Sequence, residues 1–265
     1  MHISSRWVIA SVMLCHQVFS CKAPVQPTAA DQEIASLQES IGRYPDSLTL
    51  RLQLSDLLEE NGYPDKADSV IMTSMPADSS IAILWNRHAS LLLGKGDTAG
   101  GIASLERSLR LASRQFDVML EMGFIQAARG DKNALEIASQ VQAAAPDARS
   151  RVAAEYLKGL YHANTGNEAA ALEHFERCII SDYAYIDAHL EKGIILFGQD
   201  KPEDALQVFE KAMSIDNANA DLYYWSGRCL ASLGRVTEAV EQYRKALGLD
   251  ERLKAAKTEL ERLGY

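Results

Sequence analysis

Small residues recur along this chain at an interval of 34. Ser55, Ala89, Gly123, Gly159, Gly193 and Gly227 are separated by 34, 34, 36, 34 and 34 positions. A second series, Ala67, Gly101, Ala134, Ala171, Ala205 and Ala239, follows each anchor by about a dozen residues. A third, Gly62, Gly96, Gly130, Gly166 and Gly234, sits seven after it, and only the fifth repeat departs, with Gly198 two positions early. Gly, Ala and Ser make up roughly a quarter of ordinary sequence, so small residues at twelve aligned places do not arise by chance. A fixed period of this length marks stacked repeats, each burying its apolar face only against its neighbours.

Each unit reads as two helices and a turn. In the last, Asp221 to Leu233 is the first helix, Gly234-Arg235 the turn and Thr237 to Leu249 the second, with Thr237 as the expected cap. Ala239, Val240, Tyr243, Ala246 and Leu247 then recur at helical spacing. The preceding unit repeats this with Pro202 in its first turn, then Ala205, Val208, Phe209, Ala212 and Met213. A Gly or Ala facing another helix lets the two backbones approach, and a large residue fills the space beside them. The large partners fall four positions after the second small residue: Ile71, Leu105, Phe175, Phe209 and Tyr243. The third unit has Ala138 there and one residue fewer in its turn.

The pattern resembles the tetratricopeptide repeat family. The last three units carry the likeness best, through their Gly-to-Ala pairs, Phe175, Phe209 and Tyr243, the following Cys178, Ala212 and Ala246, and turns at Asp182, Asp216 and Asp250. The family's early Trp is present only as Trp85, and its closing Pro only as Pro146. The resemblance implies an all-α, right-handed α-solenoid of antiparallel helix hairpins. Six units span residues 48–253, and a charged capping helix at 251–265 carries Leu253, Ala256 and Leu260 on one stripe. Before them, residues 31–46 form the leading helix of an incomplete repeat, with Ile34, Leu37 and Ile41 on its apolar side.

The first residues read as an address. Met1 to Arg6 carries one Arg and no acid, and Trp7 to Val18 is mostly apolar, interrupted by His16 and Gln17, and too short to span a bilayer. Val18-Phe19-Ser20-Cys21 resembles the bacterial lipobox. That resemblance implies a signal peptide at 1–20, lipidation at Cys21 and a tether over 21–30. Lys22, which is not Asp, fits transfer to the outer membrane. The expected location is therefore the bacterial envelope, facing the periplasm.

The chain carries a formal charge of −9, which argues against nonspecific binding to nucleic acid or anionic lipid. Cys178 and Cys229 are expected as buried, packed thiols, with a disulfide the lesser alternative in an oxidising compartment. Neither a metal nor a cofactor is expected. His88, His162, His174 and His189 form no HExxH and no other spacing that presents two ligands on one helix face. In Glu173-His174-Phe175-Glu176 the Phe should face the core and the three polar residues water. No catalytic residue is assigned, and an enzyme is not expected.

What remains is a groove. By the resemblance, first helices line the concave side of such a solenoid and hold a partner segment. The stripe would run through Asn86 and Ser90, Leu120 and Phe124, Tyr156 and Leu160, Leu190, Ile194 and Phe197, then Tyr224 and Arg228. Of its middle, Leu120, Phe124, Tyr156, Leu160 and Ile194, two readings stand: some of these residues pack against neighbouring units, or together they form an exposed apolar strip of the kind that marks a partner site. The expected role is a non-enzymatic adaptor docking a segment of another envelope protein. A glycan or muropeptide binder using Trp85, Tyr223, Tyr224 and Trp225 as platforms is an alternative, and so is a scaffold assembled end to end.

Overall fold

The computed structural model describes residues 28–75, 80–144 and 147–265. The expected signal peptide, Cys21, Lys22 and most of the tether lie outside them, as does Pro146. Among the described residues there are fourteen α-helices and no strand: α1 (Ala29–Arg43), α2 (Leu48–Glu60), α3 (Pro64–Ser74), α4 (Ala82–Gly94), α5 (Thr98–Leu111), α6 (Phe116–Ala128), α7 (Asn133–Ala144), α8 (Ala148–Asn164), α9 (Glu168–Ser181), α10 (Ile186–Gly198), α11 (Pro202–Ile215), α12 (Ala220–Ser232), α13 (Val236–Leu249) and α14 (Lys254–Leu263). The chain divides into two compact units at Val70/Ile71.

In the first unit α1 packs on α2. Helix α1 begins at Ala29, two residues before the expected start, because Thr28 and Asp31 form a reciprocal capping box. It buries no residue fully, and Ile34, Leu37 and Ile41 are half-covered.

The second unit is an α-solenoid of antiparallel hairpins, α4/α5, α6/α7, α8/α9, α10/α11 and α12/α13, with α14 packed on α13. Pro202 starts α11 as expected. Thr237 does not cap α13, which begins one residue earlier, at Val236. The turns at Asp182, Asp216 and Asp250 share one device: each side chain accepts the backbone N–H two residues on, at 3.0, 2.9 and 2.9 Å. The last of these holds residues 251–252 in a turn, so the capping helix starts at Lys254 rather than Glu251. The hairpin turns are left-handed at Gly62, Gly96, Gly130, Gly166 and Gly234, and at Asp200 in the fifth repeat. Gly198 is therefore not a displaced turn glycine. Asp200 takes its place, Asp being one of the few residues with a side chain that tolerate this conformation.

The small-to-large interlock is explicit. Ile71, Leu105, Phe175, Phe209 and Tyr243 are fully buried. A Cβ placed on Gly159, Gly193 or Gly227 would lie 2.5, 2.3 or 2.7 Å from the ring of Phe175, Phe209 or Tyr243. In the third unit Ala138 leaves the slot empty, and Leu157 of the next first helix fills it, 2.7 Å from a Cβ on Gly123. Helix α6 accordingly packs directly against α8. Cys178 and Cys229 are buried and unpaired, so the disulfide alternative is excluded. Burial pushes both thiols up to about 12.

Gly193→Ala should destabilise the protein by about 1–2 kcal/mol, because overpacking against Phe209 outweighs the ~1 kcal/mol helix-propensity gain. Gly248→Ala, where nothing lies within 4 Å, should be neutral or mildly stabilising. Urea melts of the two variants read these opposite signs, and Phe209→Leu should relieve the first.

Candidate functional site

The first helices α4, α6, α8, α10 and α12 carry every residue of the expected stripe. Asn86 is committed elsewhere, donating from Nδ2 to Gln115 Oε1 at 2.7 Å. Gln115 in turn donates to Ser108 Oγ at 2.8 Å and to Ala112 O at 3.0 Å. That network ties α4 to the α5–α6 turn and separates Asn86 from the rest of the stripe. Leu120, Phe124, Leu160, Leu190, Ile194, Phe197, Tyr224 and Arg228 are half-buried, and so is Ser90.

Tyr156 follows the packed reading. It is 8 % exposed, not part of an exposed strip. Its ring meets Phe124 edge-on at 5.9 Å, Phe175 at 5.7 Å and Tyr185 at 5.1 Å. It is the hub joining α6, α8 and α9 to the start of α10; Phe124 and Leu160 pack against its cluster, Leu120 against the neighbouring α6–α8 clusters and Ile194 against the C-terminal one. The apolar middle is consequently a half-covered floor rather than a row of projecting anchors. Beside it, Leu93, Asp117, Leu120, Glu121, Phe124 and Ile125 line a depression of about 400 Å³. Burial raises the Glu121 carboxyl, and burial with Asp187 nearby raises Glu191 on the other side of the floor. Tyr185, Glu121 and Glu191 were not singled out from sequence. Tyr185 lies on the turn before α10, outside the first-helix register, and acids on amphipathic helices usually face water.

Toward the C-terminal end the stripe changes character. The Arg228 guanidinium lies 4.8 Å from the ring centroids of both Phe197 and Trp225. Helix α14 supplies Glu259 and Arg262, paired at 2.8 Å. Phe197, Arg228, Ser232, Tyr243, Glu259 and Arg262 line a hollow of about 300 Å³. The Tyr243 hydroxyl is buried without a hydrogen-bond partner, a condition that costs about 1–3 kcal/mol.

A polar cluster stands apart from the stripe. Glu155 accepts from Lys158 at 2.8 Å, from His174 Nδ1 at 2.8 Å and from Arg177 at 3.3 Å. His174 is thus only 15 % exposed at its side chain and does not face water as expected. Glu173 and Glu176, which pair with Arg177 and Lys192, do remain accessible. His162 stacks on His174 at 5.3 Å with the rings 4° from parallel, and burial followed by that neighbour lowers its pKa. His189 is a packed histidine, its Nε2 2.9 Å from Tyr183 O. No group of three metal-ligating side chains occurs among the described residues. No helix among them is long and apolar enough to cross a membrane.

These elements match known proteins in fold. Residues 156–220 and 196–260 each match a tetratricopeptide repeat model. A tetratricopeptide repeat protein from Parabacteroides merdae ATCC 43184 superimposes with a TM-score of 0.76, at 14% identity, over 89% of this chain and 93% of that one. The fold is that of tetratricopeptide repeat proteins. PilW, a type IV pilus biogenesis factor, superimposes at 0.61 with 17% identity over 80% of this chain and 97% of its own. A chain of the APC/C hetero-tetramer Cut9–Hcn1 does so at 0.61 with 12% identity, over 89% of this chain and 46% of that one. No curated protein sequence matches.

Burial pushes the Glu155 carboxyl up, but hydrogen bonds from Lys158 and His174 outweigh it and hold the group at about 2. A depressed carboxylate contributes stability in full above its ordinary value of 4.5, and loses it as pH falls toward 2. Glu155→Gln should therefore cost about 1–3 kcal/mol at pH 7. The gap between wild type and variant should narrow in thermal melts taken from pH 5 down to pH 2.5.

Proposed function

We propose that the protein is a non-enzymatic adaptor that docks a segment of another protein along its first-helix face. The observation that carries this is the half-covered apolar floor of Leu120, Phe124, Leu160 and Ile194 around Tyr156, with the depression at Leu93 and Ile125 beside it. Apolar side chains left half-open in one continuous row are the usual substrate for a partner's anchors. A repeat scaffold supports such a face because each hairpin adds one first helix to the row. PilW and the Cut9–Hcn1 tetramer chain share the scaffold, which agrees with a role in assemblies.

The lipobox-like Val18-Phe19-Ser20-Cys21 extends the proposal. A lipid on Cys21 would hold the adaptor at the bacterial envelope, at the outer membrane and facing the periplasm, and would raise its effective concentration beside envelope partners. The partner class is then another envelope protein.

Photo-crosslinkers installed singly at Leu120 and Leu160 should trap the same protein in cells. Crosslinkers at the exposed second-helix positions Gln140 and Glu210 should not. Equal recovery from both faces would end the docking proposal. Labelling with an alkyne fatty acid should mark the wild type and be lost in Cys21→Ala; unlabelled wild type would remove the anchor.

A further inference from the structure

Two carboxylates on the first-helix face have no cation to balance them. Glu121 on α6 lines the depression beside Phe124. Glu191 on α10 stands on the other side of the aromatic hub, where it and Asp187 add to burial in pushing the Tyr156 hydroxyl up. Both glutamates are half-buried. Neither makes a hydrogen bond or ion pair among the described residues. Helix α6 carries no Lys or Arg. On α8 and α10, Arg149, Lys158 and Lys192 already pair with Asp117, Glu155 and Glu176.

Packing gives no reason for an acid at these places. Each glutamate sits two positions before the small anchor of its hairpin, where α8 has Leu157 and α12 has Trp225. Asp117 and Asp187, one turn earlier, suit the N-terminal ends of their helices. Glu121 and Glu191 lie a turn further in, where that benefit has faded. Burial raises both carboxyls, and Asp187, four residues before Glu191, raises the second further. A carboxylate held unpaired at the edge of an apolar floor costs the free protein stability. A docked cation removes that cost, and it gains most where the partner also excludes water.

We infer that the occupant of the apolar floor is a basic amphipathic protein segment, with apolar side chains on Leu120, Phe124, Leu160 and Ile194 and a Lys or Arg at each end, beside Glu121 and Glu191. The inference rests on the docking face proposed above and names the charge of the segment that docks there. The same two carboxylates turn an acidic segment away.

The test is fluorescence anisotropy of the purified protein with three labelled peptides of about 15 residues, enough to cross several packed helices. They share a Leu/Ala centre and carry Lys, Gln or Glu at both ends. The Lys peptide should bind saturably, the Gln peptide about tenfold more weakly and the Glu peptide not at all. Glu121→Gln and Glu191→Gln should each weaken the Lys peptide about three- to tenfold and leave the Gln peptide unchanged. Both variants should also melt at a higher temperature than the wild type, because the unpaired charge is gone; a merely structural acid would give a lower one. Glu210→Gln, at an exposed second-helix position, should change neither reading, which separates the site from the chain's overall negative charge. Leu120→Lys should abolish binding of the Lys and Gln peptides alike. Equal binding of those two peptides, both lost in Leu120→Lys, would keep the docking face and overturn the basic segment. Unchanged binding in Leu120→Lys would overturn both. A Lys peptide that does not bind, or that binds the two Gln variants as well as the wild type, would overturn the inference.

Discussion

The contact between a bare glycine backbone and a large side chain from the following helix sets the geometry of each well-formed hairpin. Gly159, Gly193 and Gly227 have no room for a methyl group, because Phe175, Phe209 and Tyr243 occupy that space. The contact fixes how closely the two helices approach and which way the first helix faces. Side chains three and four positions along it then line up with those of neighbouring first helices. The row of first helices that forms the candidate docking face is a consequence of this interlock. Where the large residue is missing, at Ala138, Leu157 reaches across from α8 and α6 packs on α8 directly. That substitution brings Leu120 and Phe124 against Leu157 and Ala138 in one cluster.

The two halves of the candidate face differ in electrostatics. Around Tyr156 the floor is apolar and bordered by Glu121 and Glu191, whose carboxyls are raised by burial. At the other end Arg228 lies over two aromatic rings. A partner lying along the face would meet apolar and acidic surface first and a free guanidinium last. Such polarity gives a docking face a direction, since reversing the segment would place like charges together.

Much of the fold was legible because it rests on backbone constraints that leave a residue-type signature. Turn glycines, the small-residue anchors and the buried large residues recur at one period and appear where they were expected. The exceptions are informative. Asp200 was hidden because Gly198, two positions away, looked like the slipped turn residue. The start of α13 was misplaced because Thr237 is a good cap by type, yet the helix begins before it. The site was less legible. A stripe on a helix shows which residues share a face, but not how far a neighbouring hairpin covers them, and so the sequence left open whether Tyr156 packs or is exposed, and it is buried. His174 was assigned to water because its partner Glu155 lies on another helix, nineteen residues away. The Tyr243 hydroxyl was visible as a letter, but only packing shows that its slot leaves it unpaired.

Proton NMR of the glycine Hα resonances tests the interlock most directly. A ring pressed on a backbone shields the protons beneath it. The account predicts upfield-shifted Hα signals for Gly159, Gly193 and Gly227, each with Overhauser contacts to the ring of Phe175, Phe209 or Tyr243, and ordinary shifts for Gly248. Unshifted Hα signals at all three glycines, without those ring contacts, would contradict it.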